Sequence, residues 1–312
     1  MLDSRRQFLL GATSGLLVAG GWPFRAFGQQ QKGTRLILLG TKGGPRVGGS
    51  RKNPSTLLVI NDVPYVVDCG HGTSQQLMAA GIPLNRLRYV FFTHLHSDHM
   101  LEYGPLVYNA WVAGLRTRVD AYGPPPLRAT TQAFWQYVKF DVDTRIDDEG
   151  RPDPRPLLTT NEFDTPGVVM QNEDVKVTSA AVLHPPITHA YAYRFDTKDR
   201  SIVISGDTNY TPALIALAKG ADILVHEILY LPALDRLLAR TPNAATLRKH
   251  IVDSHTVAED VGRVAAQAQV KTLVLSHFVP GDDPSITDEM WSEGVRKHFK
   301  GRIIVGKDLM EL

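Results

Sequence analysis

Short apolar runs alternate along this chain with stretches whose apolar residues recur at a period of about 3.6. The short runs, rich in Val, Ile, Leu and Tyr, predict strands over 35–39, 56–60, 65–68, 89–93, 119–122, 175–183, 191–195, 201–205, 223–225, 272–276 and 303–305. The periodic stretches predict helices over 73–80, 98–114, 126–138, 211–218, 257–269 and 286–299. Thr256, followed three residues on by Glu259, has the form of a capping box for the helix over 257–269. Strands alternating with helices point to an α/β class with sheets covered by helices, and no Gly-rich dinucleotide fingerprint is present. Residues 141–170 are polar and proline-rich, which predicts a long surface loop, either over a site or a plain connector. Neither a solenoid repeat nor a linker divides the chain beyond its leader.

That leader changes the picture. Ser4-Arg5-Arg6-Gln7-Phe8-Leu9-Leu10 resembles a twin-arginine export signal, and it continues into an uncharged, weakly apolar stretch up to Gly20. A small-residue cleavage site near Ala26-Phe27-Gly28 completes the pattern, so residues 1–28 are expected to be a signal peptide for export to the periplasm. A membrane anchor is the alternative, disfavoured because the stretch is short and rich in Gly, Ala and Ser. Arg5, Arg6 and Arg25 against Asp3 carry the whole net charge of +2, leaving residues 29–312 near neutrality. Nucleic-acid binding lacks its usual basic field here, and no nucleic-acid partner is expected. The single cysteine, Cys69, can form no internal disulfide.

The candidate chemistry starts where Tyr89-Val90-Phe91-Phe92 runs into T-H-L-H-S-D-H (93–99). His94 and His96 stand two apart at a strand end, so both rings project to one side. Asp98 and His99 follow as the chain turns into a helix. Imidazoles with a carboxylate suit Zn(II) or a similar first-row ion. Three of the chain's eleven histidines fall in these six positions, which makes a solvated surface cluster a poor alternative. His184, Asp207 and His277 are each expected just past an apolar strand, where open α/β architectures build their sites. Seven donors are enough for two metal ions sharing one carboxylate.

T-H-L-H-S-D-H, His184, S-G-D-T (205–208) and L-S-H (275–277) together resemble the metallo-β-lactamase superfamily, as do L-G-T-K-G-G-P (39–45) and V-V-D-C-G-H-G-T (66–73). The resemblance implies an αββα sandwich spanning residues 29–312 as a single hydrolase domain. Carried over by position, His94, His96 and His184 hold one zinc, Asp98, His99 and His277 hold a second, and Asp207 bridges them. True β-lactamases of this fold fit poorly, because Cys69 lies in the wrong segment and Asp207 is present. Glyoxalase-II-like enzymes differ around the third histidine, here L-H-P-P-I-T-H. L-V-H-E (224–227) and S-H-T-V-A-E-D (254–260) are similar to the ribonuclease Z and arylsulfatase branch, in which Glu227 and His255 match a dyad beside the zincs. Structural support of the ligands is the alternative for that pair. His226 reads as structural and His189 as a substrate contact, while the helical spacing of Trp111, Phe134, Trp135 and Tyr137 favours core packing over a pocket wall.

Together these features predict a dinuclear zinc-dependent hydrolase that cleaves a small ester, an arylsulfate or a phosphodiester, in the periplasm. Asp98 is expected to orient the attacking water, and Glu227 with His255 to pass a proton to the leaving group. Lactones and carboxylic esters stay open. Cleavage of tRNA ranks lower: the long arm of bacterial ribonuclease Z is here a simple hairpin between Phe195 and Ser205, the charge is near zero, and the leader points out of the cytoplasm. The exported form is expected to have no membrane span, and a homodimer is left open. A periplasmic metal-binding protein is the non-enzymatic alternative, disfavoured because storage needs neither Asp98 nor His255.

Replacing Arg5 and Arg6 with lysines is expected to leave the chain uncleaved and cytoplasmic, because a receptor reads the arginine pair. Cell fractionation that still recovers the variant from the periplasm would point to another route or to an anchor.

Overall fold

The computed structural model describes residues 33–312 apart from 240 and 243, so the expected signal peptide lies outside the described residues. In chain order, β1 (Thr34–Gly40), β2 (Ser55–Ile60) and β3 (Val63–Val67) form a meander, followed by α1 (Thr73–Ala79) and β4 (Tyr89–Phe91). Helices α2 (Ser97–Met100) and α3 (Tyr103–Val112) lead to β5 (Val119–Gly123), and α4 (Leu127–Tyr137) and α5 (Lys139–Glu149) lead to β6 (Leu158–Glu162). The second half runs β7 (Val168–Gln171), β8 (Val175–Ala181), β9 (Tyr191–Thr197), β10 (Ser201–Ile204), α6 (Pro212–Leu217) and β11 (Ile223–Leu229). It closes with α7 (Leu234–Leu238), α8 (Ala244–Ser254), α9 (Ala258–Ala268), β12 (Thr272–Val279), α10 (Asp288–Arg296), β13 (Arg302–Val305) and β14 (Met310–Glu311).

These strands make two sheets, ordered β14-β1-β2-β3-β4-β5-β6 and β13-β12-β11-β10-β9-β8-β7. Strand periodicity explains how they stack. On β1, Leu36 and Leu38 enter a core shared with Val225 of β11 and Val274 of β12, between the sheets, whereas Ile37 and Leu39 join the core with α1, α3 and α4. On the far side, Leu224, Leu273 and Leu275 pack with residues of α6, α9 and α10. Strands buried on both faces read as continuous apolar runs, and the result is the expected αββα sandwich. The short β14 returns to the first sheet beside β1, and Asp308 just before it accepts bonds from the Thr41 amide (3.0 Å) and hydroxyl (2.7 Å) and from the Lys52 amide (2.6 Å).

Four expectations need correction. Residues 141–170 are not a loop: α5 runs to Glu149 and the edge strands β6 and β7 follow. α5 escapes apolar periodicity because Val142 is its one buried residue, and i,i+4 pairs such as Arg145–Glu149 hold its exposed face. The helix over 98–114 is broken between Met100 and Tyr103, where the Glu102 carboxylate turns away to accept the Gly72 and Ser74 amides at the start of α1. The capping box fails as well. The N-cap of α9 is Val257, with no side-chain cap, while the Thr256 hydroxyl donates to the Thr208 carbonyl and Glu259 pairs with Lys297. Finally, α7 over Leu234–Leu238 and α8 over Ala244–Ser254 stand where no helix is predicted. Among the described residues, no helix is long and apolar enough to cross a membrane.

α9 and α10 touch at Gly262, where an added Cβ would stand 2.4 Å from the Val295 carbonyl oxygen. Gly262→Ala should therefore destabilise the fold by about 1–3 kcal/mol despite alanine's better helix propensity. A urea midpoint that stayed level or rose would show that the two helices separate freely.

Candidate metal centre

The donor cluster begins at the end of β4. The Thr93 amide and hydroxyl both donate to the Asp68 carboxylate (2.9 and 2.8 Å), which fixes the turn from which His94 and His96 project. α2 starts immediately after His96 and carries Asp98 and His99 in a single buried turn. His184 follows β8, and Asp207 follows β10 through Gly206, whose φ of +59° and lack of a side chain let the S-G-D turn pass Thr93. His277 does not lie past a strand end as expected but inside β12. There the pairing with β11 skips from Glu227–Ser276 to Ile228–Phe278, so His277 is the extra residue of a bulge, with φ +44°. A bulge re-aims one side chain while the strand continues.

The structure brings all seven expected donors together. His94 Nε2 and His184 Nε2 each lie 3.0 Å from His96 Nδ1, and His99 Nε2 lies 3.2 Å from His277 Nε2. Asp98 Oδ2 is 3.6 Å from both His99 Nε2 and His277 Nε2, and accepts the Gly44 amide. Asp207 stands between the two trios. Its Oδ1 faces His99 (3.3 Å) and His277 (3.1 Å), and its Oδ2 faces His94 (3.9 Å) and His184 (4.0 Å). His94, His96 and His184 form one group that could hold a metal ion, and Asp98, His99 and His277 form another.

The chemistry of this set fits metal. Ligands at 2.0–2.1 Å around a tetrahedral zinc stand about 3.3 Å apart, close to the spacings seen here. Oδ1 of Asp207 is buried without a hydrogen-bond partner, an orphan that a cation would satisfy. The outer nitrogens of three histidines are occupied by acceptors, which turns their other nitrogens inward. His184 Nδ1 donates to the Ser254 carbonyl (2.9 Å), His99 Nδ1 to Asp68 (2.8 Å) and His94 Nδ1 to the Thr93 hydroxyl (3.1 Å). Burial lowers the pKa of His94 and His96 and takes His184 down to about 4, so these rings stay neutral and keep their lone pairs. Burial also presses on His99, but Asp207, Asp68 and Asp98 outweigh it and raise its pKa. Burial pushes Asp98 up, yet His99 and His277 pull it down to about 2.

Glu227 and His255 meet as expected, in unequal roles. Glu227 Oε1 accepts the Thr208 (3.2 Å) and Thr256 (2.9 Å) amides, and Oε2 faces His255 Nδ1 at 3.2 Å. His255 lines the cavity beside the donors, whereas Glu227 is buried behind it. Burial lowers the His255 pKa, but the Glu227 charge outweighs it and the ring reaches about 9, protonated at neutral pH. His226 is fully buried and bonds a backbone carbonyl, a structural position. His189 does not line the cavity, nor do Trp111, Phe134, Trp135 or Tyr137. Trp111 is core, but Tyr137 is 85% exposed, against the packing its spacing predicts. The cavity, about 320 Å³, is instead walled by residues 42–46, by α7 and α8, and by residues 279–282. Sequence reasoning missed two residues here. Asp68 sits inside the quoted V-V-D-C-G without a role, and His250 is a lone histidine in a polar stretch whose place at the cavity only the fold reveals.

An αββα sandwich with seven convergent donors at one end of its sheets is an arrangement suited to metal-assisted hydrolysis. Residues 65–278, more than half of the chain, match the family described as Beta-lactamase superfamily domain, and the chain belongs to the metallo-β-lactamase superfamily. It is 32% identical over 277 residues to a protein named Ribonuclease Z from Mycobacterium bovis, covering 88% of this chain and 96% of that one. The metallo-beta-lactamase fold protein YhfI from Bacillus subtilis superposes with a TM-score of 0.65 at 19% identity, over 89% of this chain and 98% of that one. Human tRNase Z, short form, superposes with a TM-score of 0.61 at 20% identity, over 89% and 98%.

Asp207→Ala is expected to drop metal content from about two ions per chain to one or none, since one carboxylate faces both trios. Asp68→Asn should keep both ions but weaken affinity by roughly 10–100-fold. Elemental analysis and competitive chelator titration separate the two, and full metal loading of the Asp207 variant would remove that residue from the centre.

Proposed function

We propose that the chain hydrolyses a phosphodiester with two divalent ions, zinc by the chemistry of the donors. His94, His96 and His184 would hold one ion, Asp98, His99 and His277 the other, and Asp207 would serve both. The single observation that carries this reading is the division of Asp207, one oxygen toward each trio. Metal ions in these positions would supply an activated water at neutral pH and offset charge on the phosphoryl oxygens. Asp98, held ionised, accepts a hydrogen bond from the attacking water and orients it, while the proton that the water loses on activation passes to solvent. As the water oxygen bonds phosphorus and the bond to the leaving oxygen breaks, His255 gives that oxygen its proton. Glu227 acts through His255: its carboxylate beside Nδ1 favours the charged ring and leaves Nε2 for the substrate.

A precursor RNA is the second reading, supported by the name of the Mycobacterium bovis relative. That match runs over 96% of the relative's length, so the lack of a long arm between β9 and β10 weighs less than the sequence alone suggests. Arg5-Arg6 and the residues after it support a periplasmic site of action.

Metal-quantified protein should be tested on phosphodiesters, arylsulfates, carboxylic esters, lactones and precursor tRNA. Turnover of diesters above the others is expected, and its absence at two ions per chain would overturn the proposal. His255→Ala should lose on the order of 10²–10⁴ in rate on alkoxide leaving groups, yet stay near wild type on a nitrophenyl diester that leaves unaided. Equal losses on both, in step with lost metal, would make His255 a brace for the ligands.

A further inference from the structure

We propose that the substrate of this site carries an aliphatic arm, bound against the apolar wall of the cavity that the donors also line, so that the enzyme selects diesters with one alkyl substituent. This rests on the phosphodiester reading and adds what the diester is made of. The wall consists of Pro45, Leu237, Leu247, Ile251, Val279 and Pro280, contributed by the loop after β1, by α7 and α8, and by the end of β12. It is preformed: Ile251 and Val279 belong to a small core with Leu229, Leu234 and Leu238, and Leu237 and Leu247 pack on it while staying half-exposed toward the cavity. A pocket shaped before binding keeps the ordering cost of the ligand low.

What the wall lacks narrows the ligand. Among the described lining residues there is no Phe, Tyr or Trp, so that, apart from the donors and His255, the His250 ring and the Arg46 guanidinium are the only planar groups on which a nucleobase could stack. Of the lysine and arginine side chains lining the cavity, Lys42 is buried, pairs with Asp282 at 2.6 Å and donates to the Gly48 carbonyl, while Arg46 spends one of its donors on the Thr241 hydroxyl (3.2 Å). A second phosphate would therefore have Arg46 alone of these two to hold it. At about 320 Å³ the cavity is at the small end of ligand pockets, roughly 300–1,000 Å³, which suits one phosphoryl group and a short chain.

The test keeps 4-nitrophenolate as leaving group and varies the other substituent through methyl, butyl, hexyl and a nucleoside 5′-ester, using metal-quantified protein. From methyl to butyl, kcat/KM should rise on the order of 10–100-fold, mainly through KM, as methylenes leave water. The nucleoside ester should fall below butyl. In the double variant Leu237→Ser, Leu247→Ser the butyl-to-methyl ratio should approach one. Should that variant fail to fold, Leu247→Trp fills the wall and is expected to invert the ratio. A flat series with brisk turnover, or a preference for the nucleoside ester, overturns the alkyl arm and leaves the phosphodiester reading standing. No turnover of any diester, at full metal loading, removes both.

Discussion

Seven donor side chains converge at one end of the two sheets, three of their nitrogen contacts at 3.0–3.2 Å, and holding them this close falls to the backbone and to the bonds behind them. Much of the architecture around the site answers that demand. Asp68 and His277 are held at φ +63° and +44°, conformations that cost a non-glycine residue about 1–3 kcal/mol and persist only where surrounding structure dictates them. Both lie at the cluster: Asp68 steadies Thr93 and His99, and His277 is the bulged residue of β12. The two sheets serve as rigid abutments, buried on both faces, that keep the donors from relaxing apart.

Behind the donors a polar layer fixes orientation. The His94 ring, the Thr93 hydroxyl and the Asp68 carboxylate form a chain of donation, and His99 reaches the same carboxylate. Glu227 plays the corresponding part for His255, its own charge steadied by two backbone amides. The arrangement separates duties: Asp68 and Glu227 at the back orient the rings and bias their charge, while His96, Asp98, His184, Asp207, His255 and His277 meet the cavity. Removing a member of such a layer typically costs a metal site roughly 10–100-fold in affinity, because a loosely held ring binds less well.

Sheets covered by helices and the seven candidate donors were legible in the sequence because an apolar run leads into each motif, and the resemblance of those motifs to the superfamily implied the αββα order. The failures have physical causes. α5 is a solvated helix held by ion pairs, so it has no apolar stripe to read. β6 is a half-buried edge strand of Leu, Thr, Asn and Glu, without the alternation of a buried one. The role of Asp68 depends on partners 25 and 31 positions away, which no local pattern can announce. Thr256 and Glu259 had the spacing of a capping box, but the tertiary pull of Thr208 and Lys297 took both side chains elsewhere. His250 and the leucines of α7 and α8 gained meaning only once the chain folded over the donors.

The bonds from Thr41 to Asp308 have a temporal consequence. The loop after β1, which supplies the Gly44 amide to Asp98 and Pro45 to the cavity, is tied down by a carboxylate 267 positions downstream. During synthesis that loop is among the first parts of the described domain to emerge, and it must wait for nearly all the rest before its anchor exists. His277, the last of the seven donors along the chain, lies 31 positions before Asp308, so the centre and the rim of its cavity are both completed only by the C-terminal part of the domain.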